Sequence, residues 1–180
     1  MERIVFDKMK KNERYGATLN SHIQLYAIAH SFLFNKSVID AACGTCFGSH
    51  IFSTAAKKIL AVDKSQEAID YGKKLPFYCP MTFKQVDLNK EILPKADVCV
   101  SIETIEHLNP DNFFLKHLNT KLLVYSLPMR MPIDRYGYHK IVLKDKQDAV
   151  NYIRAGGWIT KIIIDLFKFD FTFIGIAERK

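Results

Sequence analysis

Three observations predict an α/β fold with a mostly parallel sheet. Short apolar runs alternate with helical stretches along the chain, the pattern of strands joined by crossover helices. A glycine-bearing turn follows the first of these runs and leads into a helix. The last two runs are separated by too few residues for a crossover helix, so they should pair antiparallel and close the sheet with a hairpin. The expectation is a three-layer sheet of seven strands in one domain of 180 residues, a length that suits one sizeable core.

Each element has its own signal. An amphipathic helix is expected over about 19–34, opened by Asn20 or Ser21. Val38–Ala41 reads as the first strand and 47–57 as the helix after the turn. Lys58–Asp63 is the second strand, and Ser65 caps a helix reaching about Lys73. Thr82–Val86 and Ala96–Ser101 are the third and fourth strands. Asn109-Pro110-Asp111 combines a cap, a first-turn proline and an acid near the positive helix end, so a helix should start there. Lys121–Leu127 is the fifth strand, Pro128–Lys140 a loop, and about Asp145–Ala155 a helix stopped by Gly156-Gly157. Trp158–Leu166 and Phe169–Ala177 form the closing hairpin.

Composition narrows the setting. Hydrophobic residues make up 48% and charged residues 25%, an ordinary globular balance. No apolar run is long enough to span a bilayer, and the charged start Met1–Asp7 does not resemble a signal peptide. A cytoplasmic location without membrane association is expected. The net charge of +7 allows a polyanionic partner, but the lysines are scattered and form no aromatic-basic stripe. Four cysteines do not make a secreted disulfide framework, and Cys99, between Val98 and Val100, reads as a buried structural thiol.

The chemistry concentrates at strand ends. Val38-Ile39-Asp40-Ala41-Ala42-Cys43-Gly44-Thr45 joins a strand to a helix through small residues that let a ligand approach the backbone. Asp63 ends the second strand 19 residues after Gly44, where a carboxylate can accept both hydroxyls of a ribose. Asp87 follows the third strand, and Leu88 beside it can flank a flat ring. Open α/β sheets bind ligands at this edge.

In this order, these segments resemble the motifs of the class I S-adenosylmethionine (SAM)-dependent methyltransferases, which carry a Rossmann-like fold. Asp40–Thr45 resembles the first motif, Ala61-Val62-Asp63-Lys64-Ser65 the second and Val86-Asp87-Leu88 the third. Ala96–Leu108 resembles the fourth strand and its Glu-His-Leu turn, and the likeness covers about residues 13–178. The resemblance implies a methyltransferase domain over 1–180, with 1–35 a helical cover and 36–180 the SAM-binding core. It implies SAM as cofactor. Asp40, Ala42, Gly44 and Cys46 then belong to the methionine loop, Asp63 and Lys64 to the ribose, and Asp87 and Leu88 to the adenine. Ser101 and Glu103 line the methionine side, and Arg14, in Glu13-Arg14-Tyr15, belongs to the entrance segment. The family usually has glycine where this chain has Cys46, so a side chain there would crowd the methionine.

Transfer of a sulfonium methyl depends mainly on alignment, and a base is needed only where the acceptor must lose a proton. The candidates are His107, His139 and Glu106. Each has a plain alternative: an orienting role in the turn for His107, a surface position for His139 and a structural one for Glu106. No residue is assigned to a metal. Strand four ends Ser101-Ile102-Glu103-Thr104, unlike the Asp/Asn-Pro-Pro-aromatic motif of base and glutamine methylation, and no Pro-Cys pair stands where cytosine chemistry would need it. Oxygen or nitrogen of a small molecule therefore leads as acceptor, with nucleic acid and protein left open. The loop Pro128–His139, with Arg130, Arg135, Tyr136 and Tyr138, lies where family members carry acceptor-binding residues. The oligomeric state is not indicated.

Three other readings use the same residues. A SAM-binding fold that has lost activity and serves as a partner or scaffold is suggested by Cys46. A redox protein is suggested by Cys43-Gly44-Thr45-Cys46 as a C-x-x-C pair at a helix start, although that reading leaves Asp63 and Asp87 unexplained. A zinc site on Cys43, Cys46 and His50 lacks a second paired half.

Overall fold

The computed structural model describes residues 13–129, 139–166 and 172–180. The chain falls into two compact units, Met1–Val86 and Asp87–Lys180. Strand order in the sheet is β3-β2-β1-β4-β5-β7-β6, with the elements as follows.

The first unit comprises α1 (Glu13–His30), β1 (Ser37–Ala41), α2 (Phe47–Phe52), β2 (Lys58–Asp63), α3 (Gln66–Gly72) and β3 (Met81–Gln85). β2 pairs in parallel with β1 and with β3, so Asp40 lies opposite Ala61 and Asp63 opposite Gln85. Val38, Ile39, Ala61 and Val62 are buried because two parallel strands with helical cover have no solvent face. Ser65 caps α3 by accepting the Ala68 amide at 3.3 Å, as expected. Two helices differ from expectation. α1 begins earlier, so Asn20 and Ser21 lie inside it, and it ends at His30. α2 stops at Phe52, because the Ser53 and Thr54 hydroxyls donate to the carbonyls of His50 and Ile51 at 2.7 and 2.9 Å and take over the last turn.

The second unit comprises β4 (Ala96–Ser101), a 3-10 turn (Ile105–His107), α4 (Phe113–His117), β5 (Thr120–Pro128), α5 (Lys146–Ala155), β6 (Trp158–Asp165) and β7 (Thr172–Arg179). β4 and β5 are parallel, and β7 runs antiparallel between β5 and β6. The closing antiparallel pair is thus present. The helix expected at Asn109 starts later. Asn109 is held by tertiary bonds, its amide donating to Asn89 Oδ1 at 2.7 Å and its own Oδ1 accepting from Lys140 Nζ at 2.8 Å. Asp111 accepts the Phe113 amide in a side-chain turn at 3.0 Å. The cap of α4 is Asn112, with φ of 61°.

Two contacts hold this unit together. Arg179 donates to the carbonyls of Leu115 at 3.0 Å and Lys116 at 2.9 Å, satisfying acceptors that the end of α4 leaves open. Its guanidinium also stacks 5.4 Å from the ring centroid of the buried Trp158. Tyr125 of β5 crosses β7 at Gly175 and bonds Thr160 of β6 at 2.9 Å. A Cβ on Gly175 would lie 2.3 Å from Tyr125 Cζ, so only glycine leaves room for this crossing. Among the described residues no helix is long and apolar enough to cross a membrane.

Candidate functional site

In the first unit the turn after β1 is a left-handed zigzag. Ala42, Gly44 and Cys46 have φ of 60°, 55° and 62°. Alternate residues of this kind turn backbone amides toward one side and make a concavity suited to polar or anionic groups. Asp63 fixes the shape. Its Oδ2 accepts the Gly44 amide at 2.9 Å and its Oδ1 accepts the Ser65 amide at 2.8 Å. A carboxylate has about four acceptor positions, so two remain for hydroxyls of a ligand. A Cβ built on Gly44 would meet nothing within 4 Å, so the turn opens onto space rather than packed side chains. The loop therefore fits a ligand that lies against its backbone.

Asp40, next to last in the strand that carries this turn, is buried. Ser49, on α2, donates to its Oδ2 at 2.5 Å. Burial pushes the Asp40 pKa up to about 7, opposed by the Ser49 bond and assisted by the nearby Asp63 charge. Ser49 had no assigned part in the sequence reading, and its signal was only a hydroxyl one turn into a short helix.

Cys46 does not crowd the open side of Gly44. Its side chain is fully buried, and a Cβ on Gly72 of α3 would meet its Sγ at 2.4 Å. The cysteine is accommodated because α3 has glycine opposite it. Cys43 Sγ lies 3.6 Å from Cys46 Sγ, and both are free thiols. Contact with Cys46, then burial and the Asp40 and Asp63 charges, push the Cys43 thiol well above the usual range. That opposes the thiolate a redox pair requires. His50, the third residue of the zinc reading, directs Nδ1 to the Pro76 carbonyl at 2.6 Å. Lys64 is exposed. Arg14 lies in α1, and its side chain is outside the described residues.

In the second unit Asp87 opens a tight turn, its Oδ1 accepting the Asn89 amide at 3.0 Å. That bond, with Lys90 nearby, holds its pKa below the usual carboxylate range. Leu88 is buried. Ser101 and Glu103 follow at the end of β4. Ser101 Oγ is buried without a hydrogen-bond partner. Glu103 has φ of 47° and is held by Ser126 of β5, whose Oγ accepts its amide at 2.8 Å and donates to its Oε1 at 2.7 Å. Ser126 escaped the sequence reading, although a hydroxyl inside Leu122–Leu127 was its signal.

The three proton-transfer candidates come together. The His107 and His139 ring centroids are 4.8 Å apart, and His107 Nε2 stands 3.6 Å from Glu106 Oε1. Glu106 is only 1% exposed, and neither carboxylate oxygen has a hydrogen-bond partner. Burial, then the Glu103 charge, push its pKa well up. The Glu106 carbonyl accepts the Lys140 and Ile141 amides at 2.8 and 3.2 Å, which pins the segment after His139 to this turn. Arg130, Arg135, Tyr136 and Tyr138 lie outside the described residues.

No family model matches the chain. Two Mycobacterium tuberculosis proteins, from strains CDC 1551 and H37Rv, are named probable SAM-dependent methyltransferases; each is 28% identical over 103 residues. The match takes in 53% of this chain, and the chain spans 37% of the length of these relatives. Among solved structures, magnesium protoporphyrin IX methyltransferase from Synechocystis, with SAM bound, superposes with TM-score 0.70 at 16% identity, over 100% of this chain and 86% of that one. A SAM-dependent methyltransferase from Aquifex aeolicus gives 0.68 at 16% identity, over 95% and 100%. The [4+2]-cyclase SpnF gives 0.72 at 12% identity, over 94% and 85%. The glycine turn, the acid ending β2, the reversed β7 and these likenesses agree: the chain has the fold of the class I SAM-dependent methyltransferases.

Proposed function

We propose that the chain is a SAM-dependent methyltransferase that transfers a methyl group to an oxygen or nitrogen of a small-molecule acceptor. One observation carries the reading: an open, left-handed glycine turn at the end of β1 whose Gly44 amide is fixed by the carboxylate ending β2. Asp40, Ala42, Gly44 and Cys46 are assigned to the methionine loop, and Asp63 and Lys64 to the ribose. Asp87 and Leu88 are assigned to the adenine, Ser101 and Glu103 to the methionine side, and Arg14 to the entrance. SAM supplies a methyl carbon already activated by its sulfonium. The task left to the side chains is alignment, which can contribute about 7–11 kcal/mol to lowering a barrier.

Where the acceptor must lose a proton, His107 and His139 are the assigned takers. A neutral imidazole accepts a proton near neutral pH. Glu106, whose Oε1 lies 3.6 Å from His107 Nε2, is the third candidate. A small acceptor is favoured because strand four lacks the motif of base and glutamine methylation. The named porphyrin of one structural neighbour is an acceptor of that size class.

The test has two stages. Calorimetry with SAM and S-adenosylhomocysteine should show one site per chain, and no heat at millimolar ligand would overturn the reading. Incubation with methyl-labelled SAM and a fractionated metabolite extract should then release S-adenosylhomocysteine. Binding without release in any fraction would reduce the chain to a SAM-binding fold.

A further inference from the structure

We propose that Glu106, His107 and His139 form a binding site for one divalent first-row transition-metal ion. The metal site concerns one turn and one segment of the second unit alone; only what is said of an acceptor at it rests on the methyltransferase reading. One ligand atom from each residue can be chosen so that all three lie within 4.8 Å of one another. Glu106 Oε1 and His107 Nε2 are 3.6 Å apart. Two ligands of a tetrahedral ion with bonds of about 2.1 Å stand about 3.4 Å apart, so this pair needs almost no adjustment.

The second observation is the state of Glu106. A carboxyl group that is 1% exposed, with both oxygens lacking a hydrogen-bond donor, is costly to leave so. No lysine or arginine contact to it is present among the described residues. The fold nevertheless spends two backbone hydrogen bonds, Lys140 and Ile141 to the Glu106 carbonyl, on bringing His139 to this turn. A cation supplies what the carboxylate lacks and gives the two rings a common task.

The donor set selects the metal class. Two imidazoles and one carboxylate suit Zn2+, Mn2+, Fe2+ or Co2+, whereas Mg2+ and Ca2+ prefer all-oxygen shells. Three protein ligands leave at least one coordination position open, the arrangement of reactive rather than structural sites. His107 and His139 are partly exposed, so the open position is accessible to a hydroxyl or water. With an ion bound, the ring nitrogens that hold it no longer take the acceptor's proton; the ion instead makes the proton of an oxygen acceptor easier to lose.

The experiment is a titration of the full, metal-stripped chain with Co2+, followed by its visible d–d absorption, and with Mn2+, followed by electron paramagnetic resonance. One ion per chain is expected. His107→Ala, His139→Ala and Glu106→Gln should each weaken binding by more than about 10–100-fold, the loss typical of disturbing only the groups around a ligand shell. Cys43→Ser/Cys46→Ser should leave it unchanged. X-ray absorption of the Zn2+-loaded wild type should show two imidazoles and no sulfur, a readout that needs no variant to fold. Absence of binding at about 1 mM of each ion, a sulfur ligand, or full affinity in a folded His107→Ala/His139→Ala chain would overturn the proposal.

Discussion

Asp40 offers the sharpest test of the first unit, because its titration should make this unit less stable as pH rises. Burial lifts its pKa from 3.8 to about 7. The folded chain then keeps a proton that the unfolded chain releases above pH 3.8. The stabilisation is complete below that pH and is lost as pH rises through 7. Each pH unit in this window is worth about 1.4 kcal/mol, so the whole span is worth about 4 kcal/mol, and about 2–4 is expected after local relaxation. Asp40→Asn keeps the shape and the Ser49 contact but cannot titrate. Urea unfolding between pH 4 and 8, followed by hydrogen exchange of peptides from β1 and α2, measures the wild type against this variant. Other titrating groups, Glu106 among them, act equally in both chains and cancel. The variant should gain steadily on the wild type as pH rises. Parallel profiles, or a carboxyl resonance titrating near pH 4, would refute the reasoning.

Other perturbations follow from the same geometry. Asp63→Ala removes two charge-assisted bonds, to the amides of Gly44 and Ser65, each worth about 1.5–3 kcal/mol; denaturation should show this loss, and calorimetry a SAM affinity lowered by more than about tenfold. Cys46→Gly relieves about 1–2 kcal/mol of left-handed strain but empties the space beside Gly72, so calorimetry should find SAM affinity within about threefold of wild type. A large gain in affinity would show that the thiol does reach the ligand. Gly175→Ala places a methyl group against Tyr125 and should cost about 1–3 kcal/mol, read as a lower midpoint in thermal unfolding of the second unit.

Much of this fold was legible because its strands are short apolar runs with clear punctuation. β2 and β4 fall at 58–63 and 96–101, as read. Ser65 caps as expected because its role is local. Asn109-Pro110-Asp111 misled for the opposite reason: the local helix-start signal is outcompeted by Asn89 and Lys140, which are remote in sequence. The early end of α2 depends on two hydroxyls choosing their own backbone, a contest that periodicity does not register. At the candidate site, the strand ends that carry the residues were legible and the partnerships of their side chains were not. Asp63 was read as a ligand group, and the structure shows it bracing the turn at Gly44, a role the sequence does not announce. Cys46 looked obstructive because nothing in its neighbourhood along the chain announces Gly72.

The position of β7 has a consequence for synthesis. β5 and β6 are both made before it; β5 already lies beside β4 but finds its second neighbour in residues 172–179, and β6 pairs with those same residues. While the ribosome is still extending the chain toward them, Leu122–Leu127 offers an open apolar edge and Ile162–Ile164 has nothing to pair with. Such edges recruit other strands, so the nascent polypeptide passes through a sticky stage. That stage ends when the reversed strand slides between the two and closes both edges at once.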